Sequence, residues 1–297
     1  MVLGHMTLRV AAAFLSALGV FALCGCGGTD ATESVQGQGD AYDAAVLADR
    51  PVAYWPMAHG PSGTEPDKTG SGHNGRYGSS LGDNSTLPNG SAAATFTGEQ
   101  YLEVPDAEDL RPATTGELTI EGWIRPDTLA FRNEESTGYV HWLGKAGGEQ
   151  YEYAARIYSA GNAEERENRI SGYHFNLPGG LGAGSYFQDP VTPGKWIHYV
   201  LVINRTASSD EYPHGYTSIY KDGVLRDQDD LSIDGNRVAA EPGHAPLRIG
   251  TSDFASYFEG AVGNVAVYNY ELPQPQILRH YQLMTGQGYT EGASLGR

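Results

Sequence analysis

Apolar and polar residues alternate in short runs along most of the chain, and glycine, proline and Asp-Gly pairs separate the runs. Such period-two runs indicate half-buried β-strands, because successive side chains of a strand point to opposite faces of its sheet. In residues 117–126, Leu118, Ile120 and Ile124 fall on one face, opposite Trp123. The other predicted strands are 52–57, 92–96, 101–105, 139–143, 151–158, 169–175, 185–187, 196–203, 216–224, 247–250 and 260–268. About a dozen strands suffice for two facing sheets.

One helix is predicted, close to the C-terminus. Pro273 ends the last strand, and Ile277, Leu278 and Tyr281 then form one apolar stripe at helical spacing. The alanine-rich stretch before Pro51 is interpreted as a turn that leads into the first strand. The pattern therefore predicts an all-β sandwich of two antiparallel sheets with a short C-terminal helix.

The first residues do not share this pattern. Val10 to Leu23 is an apolar run that follows Arg9, too short to span a bilayer but suited to a signal peptide. It ends in LCGC, which resembles a bacterial lipobox cleaved before Cys26. We therefore expect residues 1–25 to be a lipoprotein signal peptide, Cys26 to carry the lipid, and the glycine-rich residues 26–40 to be a flexible tether. The alternative is an ordinary secretory leader in which the cysteine pair is incidental.

Charge and cysteine content narrow the classes of function. The chain has 36 acidic and 19 basic residues and a formal charge of −17. This balance argues against a nucleic-acid partner, since no basic patch is present to replace phosphate counterions. It also disfavours a highly anionic polysaccharide, whereas neutral glycans, cations and protein surfaces stay open. Both cysteines lie in the leader, so the domain expected at 41–285, with a tail at 286–297, has no disulfide.

Several segments resemble one known family in their order and spacing. They are AYDAAVLADRPVAYWPM at 41–57, DKTGSGHNG at 67–75, TIEGWIRP at 119–126, WIHYV at 196–200, YTSIYKDG at 216–223, and LRIG with YFEGAVGNVAVYNYELPQPQILRHY within 247–281. Together they resemble bacterial laminin-G-like domains of the concanavalin A-like lectin/glucanase superfamily. The resemblance implies a jelly-roll β-sandwich over residues 41–285 and, in function, a binding module.

The resemblance also implies a cation site. In the family, the loop matched by residues 67–75 often places an aspartate and neighbouring carbonyl groups beside a calcium ion, so Asp67 is the expected ligand. The acidic pair often found in the family's last strand is replaced here by Gly263-Asn264. A solvated turn could carry the same loop residues for conformational reasons alone. Structural calcium is therefore one of two interpretations of this loop.

The strands between residues 139 and 175 carry charged and aromatic side chains where plain members of that family have aliphatic ones. Sugars are bound by aromatic faces and by side-chain hydrogen bonds, which these residue types provide. The candidate ligand-binding residues are His141, Glu152, Arg156, Tyr158, Arg169 and Tyr173. By period two, Glu152, Arg156 and Tyr158 share one face, as do Arg169 and Tyr173. The alternative is that Arg156 and Glu152 form cross-strand pairs on a solvated face.

Catalysis is the less favoured interpretation. No predicted strand carries the closely spaced carboxylate pair of glucanases with this fold. Alginate lyases of a similar fold use Arg-, His- and Tyr-rich strands, and Arg156, Tyr158, Arg169, Tyr173 and His174 supply those types at other spacings. Three functions stay open: binding of carbohydrate or another surface ligand, a structural or protein-interaction role, and a polysaccharide lyase or hydrolase. The first is favoured, in an exported cell-envelope lipoprotein held to the membrane through its lipid anchor.

Overall fold

The computed structural model describes residues 30–58, 63–135, 138–177, 181–239 and 241–287. The predicted signal peptide, Cys26 and most of the predicted tail lie outside the described residues. The helices are α1 (Asp30–Ala48), α2 (Pro112–Thr115) and α3 (Gln274–Thr285), with a 3-10 turn at Glu108–Leu110. Within the described ranges, no helix has both the length and the apolar character that crossing a membrane requires.

The strands follow one another with few interruptions. In chain order they are β1 (Ala53–Trp55), β2 (Thr64–Glu65), β3 (Gly75–Tyr77), β4 (Ser85–Thr86), β5 (Ala92–Thr97), β6 (Leu102–Val104), β7 (Glu117–Pro126), β8 (Tyr139–Gly147), β9 (Gln150–Tyr158), β10 (Arg169–Phe175), β11 (Gly182–Gln188), β12 (Ile197–Asn204), β13 (Tyr216–Lys221), β14 (Val224–Asp230), β15 (Ser232–Ile233), β16 (Asn236–Arg237), β17 (Leu247–Ile249) and β18 (Glu259–Tyr268).

Most of these strands form two antiparallel sheets that face each other. Sheet A has the order β14-β13-β12-β7-β18-β5-β4, with β1 beside β18, and sheet B has the order β11-β10-β9-β8-β17-β6-β3-β2. The strands β15 and β16 form a small separate hairpin. The predicted all-β sandwich with two antiparallel sheets and a short helix near the C-terminus is confirmed.

The core between the sheets is built from alternate residues of each strand. On β7, Leu118, Ile120 and Ile124 face the interior, as the sequence pattern predicts. Trp142 of sheet B meets Tyr199 of sheet A edge to face, with ring centroids 4.9 Å apart. Edge-to-face contact is a favoured geometry for aromatic pairs and helps to fix how the two sheets face each other.

A second apolar layer covers the outer face of sheet A. Tyr42 and Val46 of α1 and Ile277 and Met284 of α3 are buried there against strand side chains. The stretch interpreted as a turn before Pro51 is instead the end of a helix, because packing on the sheet stabilises a helix that the local sequence alone does not indicate. That helix starts within residues 26–40, so part of the predicted tether is helical, while its role as a tether stays a prediction.

A buried ionic cluster lies beneath these two helices. Glu121 on β7 is completely buried. The groups hydrogen-bonded to its carboxylate are Tyr42 Oη, His198 Nε2, Tyr268 Oη and His280 Nδ1, at 2.8 to 3.3 Å. On the other side of the His280 ring, Nε2 lies 3.1 Å from Asp49 Oδ2. We call these residues the Glu121 cluster.

The charges of the Glu121 cluster stabilise one another. Burial alone would raise the pKa of Glu121, but the charge of His280 and the hydrogen bonds of His198 and His280 outweigh it, so that pKa lies well below its usual range. Burial likewise opposes charge on His280, yet Glu121 and Asp49 raise its pKa to about 9. Glu121 and His280 are therefore a charged pair at neutral pH.

Candidate functional site

The outer face of sheet B contains an open pocket of about 550 Å³. Its walls come from the loop before β8, from strands β8 to β10 and from the loop between β17 and β18. The side chains that give it its chemistry are Glu135, Tyr139, His141, Tyr151, Arg156 and Asp253. Aromatic rings, one guanidinium group and several carboxylates therefore meet in one concave site, which is a common composition for a ligand site.

A row of stacked side chains forms the floor of the pocket and its continuation along β10. The guanidinium carbon of Arg156 lies 4.7 Å from the ring centroid of Tyr139 and 4.1 Å from that of Tyr173. Tyr173 in turn stacks on Phe175 at 5.9 Å, and Phe175 lies 6.2 Å from Tyr151. We call these five residues the aromatic strip. It exists because β8, β9 and β10 are neighbours in sheet B, so equivalent faces of the three strands line up.

Arg156 is held by rings and not by a carboxylate. Among the described residues no carboxylate lies within ion-pair distance of its guanidinium, and its buried Nε has no hydrogen-bond partner. Of the cross-strand pairs expected on a solvated face, the one for Arg156 is therefore wrong for this structure, whereas Glu152 does pair with Lys145 of β8, but at a buried position. A guanidinium group whose charge is met by aromatic faces keeps donors available for a ligand.

The tyrosines of the strip are hydrogen-bond donors at neutral pH. Burial, and then the neighbouring Tyr158, raise the pKa of Tyr173 to about 12. Burial and Asp253 raise the pKa of Tyr151, whose hydroxyl donates to Asp253 Oδ2 at 3.1 Å. Burial and a hydrogen bond to Glu164 likewise raise the pKa of Tyr139. The strip therefore presents neutral phenols beside one permanent positive charge.

One wall of the pocket is acidic. The Nδ1 atom of His141 lies 3.1 Å from Glu135 Oε1 and 3.0 Å from Ser256 Oγ. Asp253 completes the wall, and one potential ligand atom from each of Glu135, His141 and Asp253 lies within 4.8 Å of the others. We call these three residues the acidic wall. Sequence reasoning singled out only His141, because Glu135 and Asp253 lie in loops that no periodic pattern connects.

The structure brings some of the sequence-predicted residues together and separates others. His141 and Arg156 line the pocket, and Tyr173 supports Arg156 from below. Tyr158 is fully buried beside Tyr139, with ring centroids 4.8 Å apart, so it backs the pocket without lining it. Arg169 lies 3.8 Å from the ring centroid of a β11 tyrosine, beyond the pocket. Tyr139 and Phe175, which sequence reasoning did not select, share the parity of His141 and Tyr173 on the same strands and could have been found. Tyr151 could not, because the register of β9 shifts between it and Tyr153.

Glu152 has a different role from the one predicted. It is fully buried, and its Oε1 lies 2.5 Å from Nζ of the equally buried Lys145. Lys145 also contacts Asp106 Oδ1 at 2.7 Å and donates to the carbonyl oxygen of Ala245 at 2.9 Å. Burial raises the pKa of Glu152, and Lys145 opposes that shift. Period two placed Glu152 on the face of Arg156, but the register of β9 shifts between Tyr151 and Tyr153, and Glu152 instead lies against Lys145 and Gly243.

Asp67 organises its own loop. Its Oδ1 accepts hydrogen bonds from the backbone N–H groups of Tyr54 and Thr69, at 3.0 and 2.9 Å. Its Oδ2 accepts from the backbone N–H of His73 at 3.2 Å, and the Thr69 hydroxyl donates to the same carboxylate. These donors support the conformational interpretation of the loop, since a calcium ion would have to displace them. Calcium at Asp67 stays a prediction.

The arrangement of the sheets and the sequence agree on one family. A sequence model described as the concanavalin A-like lectin/glucanases superfamily, of the laminin G type, matches residues 96–278, which is more than half of the chain. This chain belongs to the concanavalin A-like lectin/glucanase superfamily. The resemblance drawn from the sequence motifs is thereby confirmed. No curated protein sequence matches the chain.

Solved structures with this superfamily's fold include domains captured with ligands. The binding domain of botulinum neurotoxin DC, in complex with SialylT, is similar with a TM-score of 0.55 and 14% identity, over 80% of this chain and 52% of that one. Domain 4 of AbnA, an extracellular GH43 arabinanase from Geobacillus stearothermophilus in complex with arabinotriose, is similar with a TM-score of 0.51 and 14% identity, over 78% of this chain and 98% of that one. The chain thus spans about half the length of the neurotoxin domains, and the likeness establishes the fold alone.

Proposed function

We propose that this protein binds carbohydrate in the pocket on the outer face of sheet B, with the aromatic strip as its platform. The observation that carries the proposal is the stack of Tyr139 and Arg156 in an open pocket with an acidic wall, continued beside the pocket by Tyr173. A sugar ring has an apolar face that packs on aromatic rings, and hydroxyl groups that donate to carboxylates and accept from guanidinium or phenol groups. Both kinds of partner are present within this one site.

Two further observations support the proposal. A domain of this fold was solved with arabinotriose, and another with SialylT. The lyase alternative receives less support, because His174 is fully buried and does not line the pocket. Burial and the charge of Arg205 lower the pKa of His174 to about 3, so it is neutral at working pH.

The experiment is affinity electrophoresis of the protein through gels that contain one polysaccharide each. We expect retardation in at least one gel with the polymer left intact. Arg156→Met should remove the retardation, because it deletes the guanidinium group and keeps an apolar side chain over the rings. The matched control is Arg226→Met, since Arg226 also lies over a ring, 5.0 Å from the Phe187 centroid, but is exposed on β14 outside the pocket. This control should migrate like the wild type.

The outcomes separate the candidate functions. Equal retardation of the wild type and the Arg156 variant would refute the assignment of the pocket, provided that their circular dichroism spectra agree. A track cleared of polymer would replace binding by cleavage. Free migration through every gel would contradict carbohydrate binding and would favour a protein partner or a structural role.

The proposed cellular setting is that of an exported lipoprotein in the bacterial cell envelope, with its lipid on Cys26. The LCGC sequence supports this setting. The test is fractionation of bacteria that express the wild type or Cys26→Ala. We expect the wild type in the membrane fraction and the variant outside it, and equal membrane association of the two would contradict the anchor.

A further inference from the structure

The acidic wall has the composition and spacing of a metal site. We propose that Glu135, His141 and Asp253 bind a divalent transition-metal ion, with Zn²⁺ as the best fit. The inference does not depend on carbohydrate binding, because the three side chains form the site by themselves. An imidazole together with two carboxylates is a donor set that suits zinc, whereas calcium prefers oxygen ligands alone.

The distances between the donor atoms agree with a common ion. The Nδ1 atom of His141 and Oε1 of Glu135 are 3.1 Å apart. Two ligands of one tetrahedral zinc, each bound at about 2.0–2.1 Å, are separated by roughly 3.3 Å. Asp253 offers a third donor atom, and all three atoms lie within 4.8 Å of one another. Binding of one ion therefore requires rotations of these side chains that bring the three atoms closer together.

Neighbouring groups hold the carboxylate of Asp253 in place. Asp253 Oδ2 accepts from the Tyr151 hydroxyl at 3.1 Å, and Oδ1 accepts from the backbone N–H of Ala255 at 3.1 Å. Each oxygen of a carboxylate has two lone pairs, so one remains on each for a metal. Ser256 Oγ lies 3.0 Å from His141 Nδ1, the atom that also faces Glu135, so a metal ion bound to Nδ1 would replace this hydrogen bond. Supporting hydrogen bonds like those to Asp253 are characteristic of metal sites, where they orient the ligands.

The charges around the wall favour a cation. Glu134, which also lines the pocket, adds a third carboxylate to those of Glu135 and Asp253. Arg156, which lines the same pocket, is turned to the rings of the aromatic strip. Arg248, near Asp253, is paired with Glu103 and donates to the carbonyl oxygen of Ser252. His141 is only 7% exposed, so a bound ion would be sheltered on the protein side and open to the pocket on the other. Three protein ligands leave at least one coordination position for water or a ligand oxygen, as in zinc sites that are not purely structural.

The test is equilibrium dialysis of the full chain against Zn²⁺ alone, with metal analysis of the protein. The two cysteines of the leader are alkylated first, because free thiolates bind zinc by themselves. We expect one bound zinc per chain. Glu135→Gln and Asp253→Asn should each weaken binding by about tenfold or more, because each removes one anionic ligand and keeps the shape of the side chain. Both residues lie in loops and are partly exposed, so these substitutions leave the core intact.

The matched control is His214→Gln. His214 Nδ1 forms a similar contact with Asp230, at 2.8 Å, but among the described residues it has no third ligand. Its substitution should leave zinc binding unchanged. Absence of zinc from the wild type, or wild-type affinity in both Glu135→Gln and Asp253→Asn, would overturn the proposal. Zinc binding without retardation in polysaccharide gels would uphold this inference and refute the proposed function.

A second readout covers the case in which a variant loses stability. Zinc that binds the folded protein alone raises its melting temperature with increasing metal concentration. We expect this rise in the wild type and in His214→Gln, and a smaller rise or none in Glu135→Gln. A rise of the same size in all three proteins would also overturn the proposal.

Discussion

Replacing Glu121 by glutamine should remove most of the dependence of stability on pH between 6 and 9. The substitution keeps the size of a side chain that is completely buried beneath α1 and α3, and it deletes the charge that faces His280 at 3.0 Å. Burial opposes the protonation of His280, and the charge of Glu121 is the largest of the effects that favour it. Without that charge, the pKa of His280 must fall.

The expected change in unfolding free energy follows from the pKa shift of His280. The pKa of His280 is raised from 6.5 to about 9, and one pKa unit corresponds to about 1.4 kcal/mol. Because the pKa is raised by folding, the stabilisation is complete below pH 6.5 and is lost as the pH rises through 9. The wild type should therefore lose about 3 kcal/mol of unfolding free energy from this residue between pH 6 and 9. The lowered pKa of Glu121 adds a separate dependence at acid pH. The stabilisation that it gives is complete above pH 4.5 and is lost as the pH falls below that value.

Urea unfolding at pH 6 and at pH 9, followed by tryptophan fluorescence, measures this difference. The fluorescence of Trp123 reports directly on the Glu121 cluster, since its Nε1 donates to the Tyr42 hydroxyl at 3.1 Å and its ring stacks on His198. We expect the loss between the two pH values to fall from about 3 kcal/mol in the wild type to less than about 1 kcal/mol in Glu121→Gln. At pH 6 the variant should be less stable than the wild type by several kcal/mol, because removing one partner of a buried pair is costly.

Two further variants test the reasoning. Asp230→Asn, beside the partly exposed His214, is the control and should keep the pH dependence of the wild type. Asp49→Asn combined with Glu121→Gln removes both carboxylates next to His280 and should lower the pH dependence further. The same loss between pH 6 and 9 in Glu121→Gln as in the wild type would refute the assignment of this titration to the Glu121 cluster.

Three other substitutions test separate parts of the scaffold by thermal and urea unfolding. Lys145→Ala leaves the buried Glu152 without its partner and should destabilise the protein by about 3–5 kcal/mol, whereas Lys145→Met with Glu152→Leu should recover most of that loss; equal stability of single and double variants would contradict a paired role. Asp67→Ala removes the acceptor of several loop hydrogen bonds and should cost about 1–3 kcal/mol. Added calcium should raise the melting temperature of the wild type but not of this variant if Asp67 is a ligand, and no calcium effect on the wild type would end that prediction. Gly184→Ala places a Cβ 2.2 Å from the carbonyl oxygen of Gly172 and should destabilise sheet B by about 1–3 kcal/mol. Gly82→Ala, where nothing lies within 4 Å, is its control and should be close to neutral.

The strands of the sandwich could be predicted because period two reports burial directly. On β7, Leu118, Ile120 and Ile124 pack in the core and Trp123 packs in the layer on the other face, and the Asp222-Gly223 turn joins β13 and β14, as predicted. The helix α1 could not be predicted, since it contains Gly37 and Gly39, which disfavour helix locally, and it depends on sheet A for its burial. Local sequence does not record which distant surface a segment covers.

The candidate site likewise contains residues that a strand pattern can place and residues that it cannot. His141, Arg156 and Tyr173 lie on adjacent strands whose register a pattern can place on one face, and the structure brings them close together. Glu135 and Asp253 come from loops after unrelated strands, so only the three-dimensional fold shows that they meet. Period two places Glu152 on the face of Arg156, but the register of β9 shifts between Tyr151 and Tyr153, and Glu152 is buried against Lys145 and Gly243. Parity predicts the face of a residue only where the strand runs without a bulge.

The packing of α1 and α3 on sheet A makes the two outer faces of the sandwich different. The described chain enters through α1 and leaves through α3, and both helices lie against sheet A. The pocket opens on sheet B, on the far side of a sandwich whose two sheets are about 10 Å apart. Both ends of the described chain therefore join the sandwich on the face opposite the pocket, and neither covers its mouth.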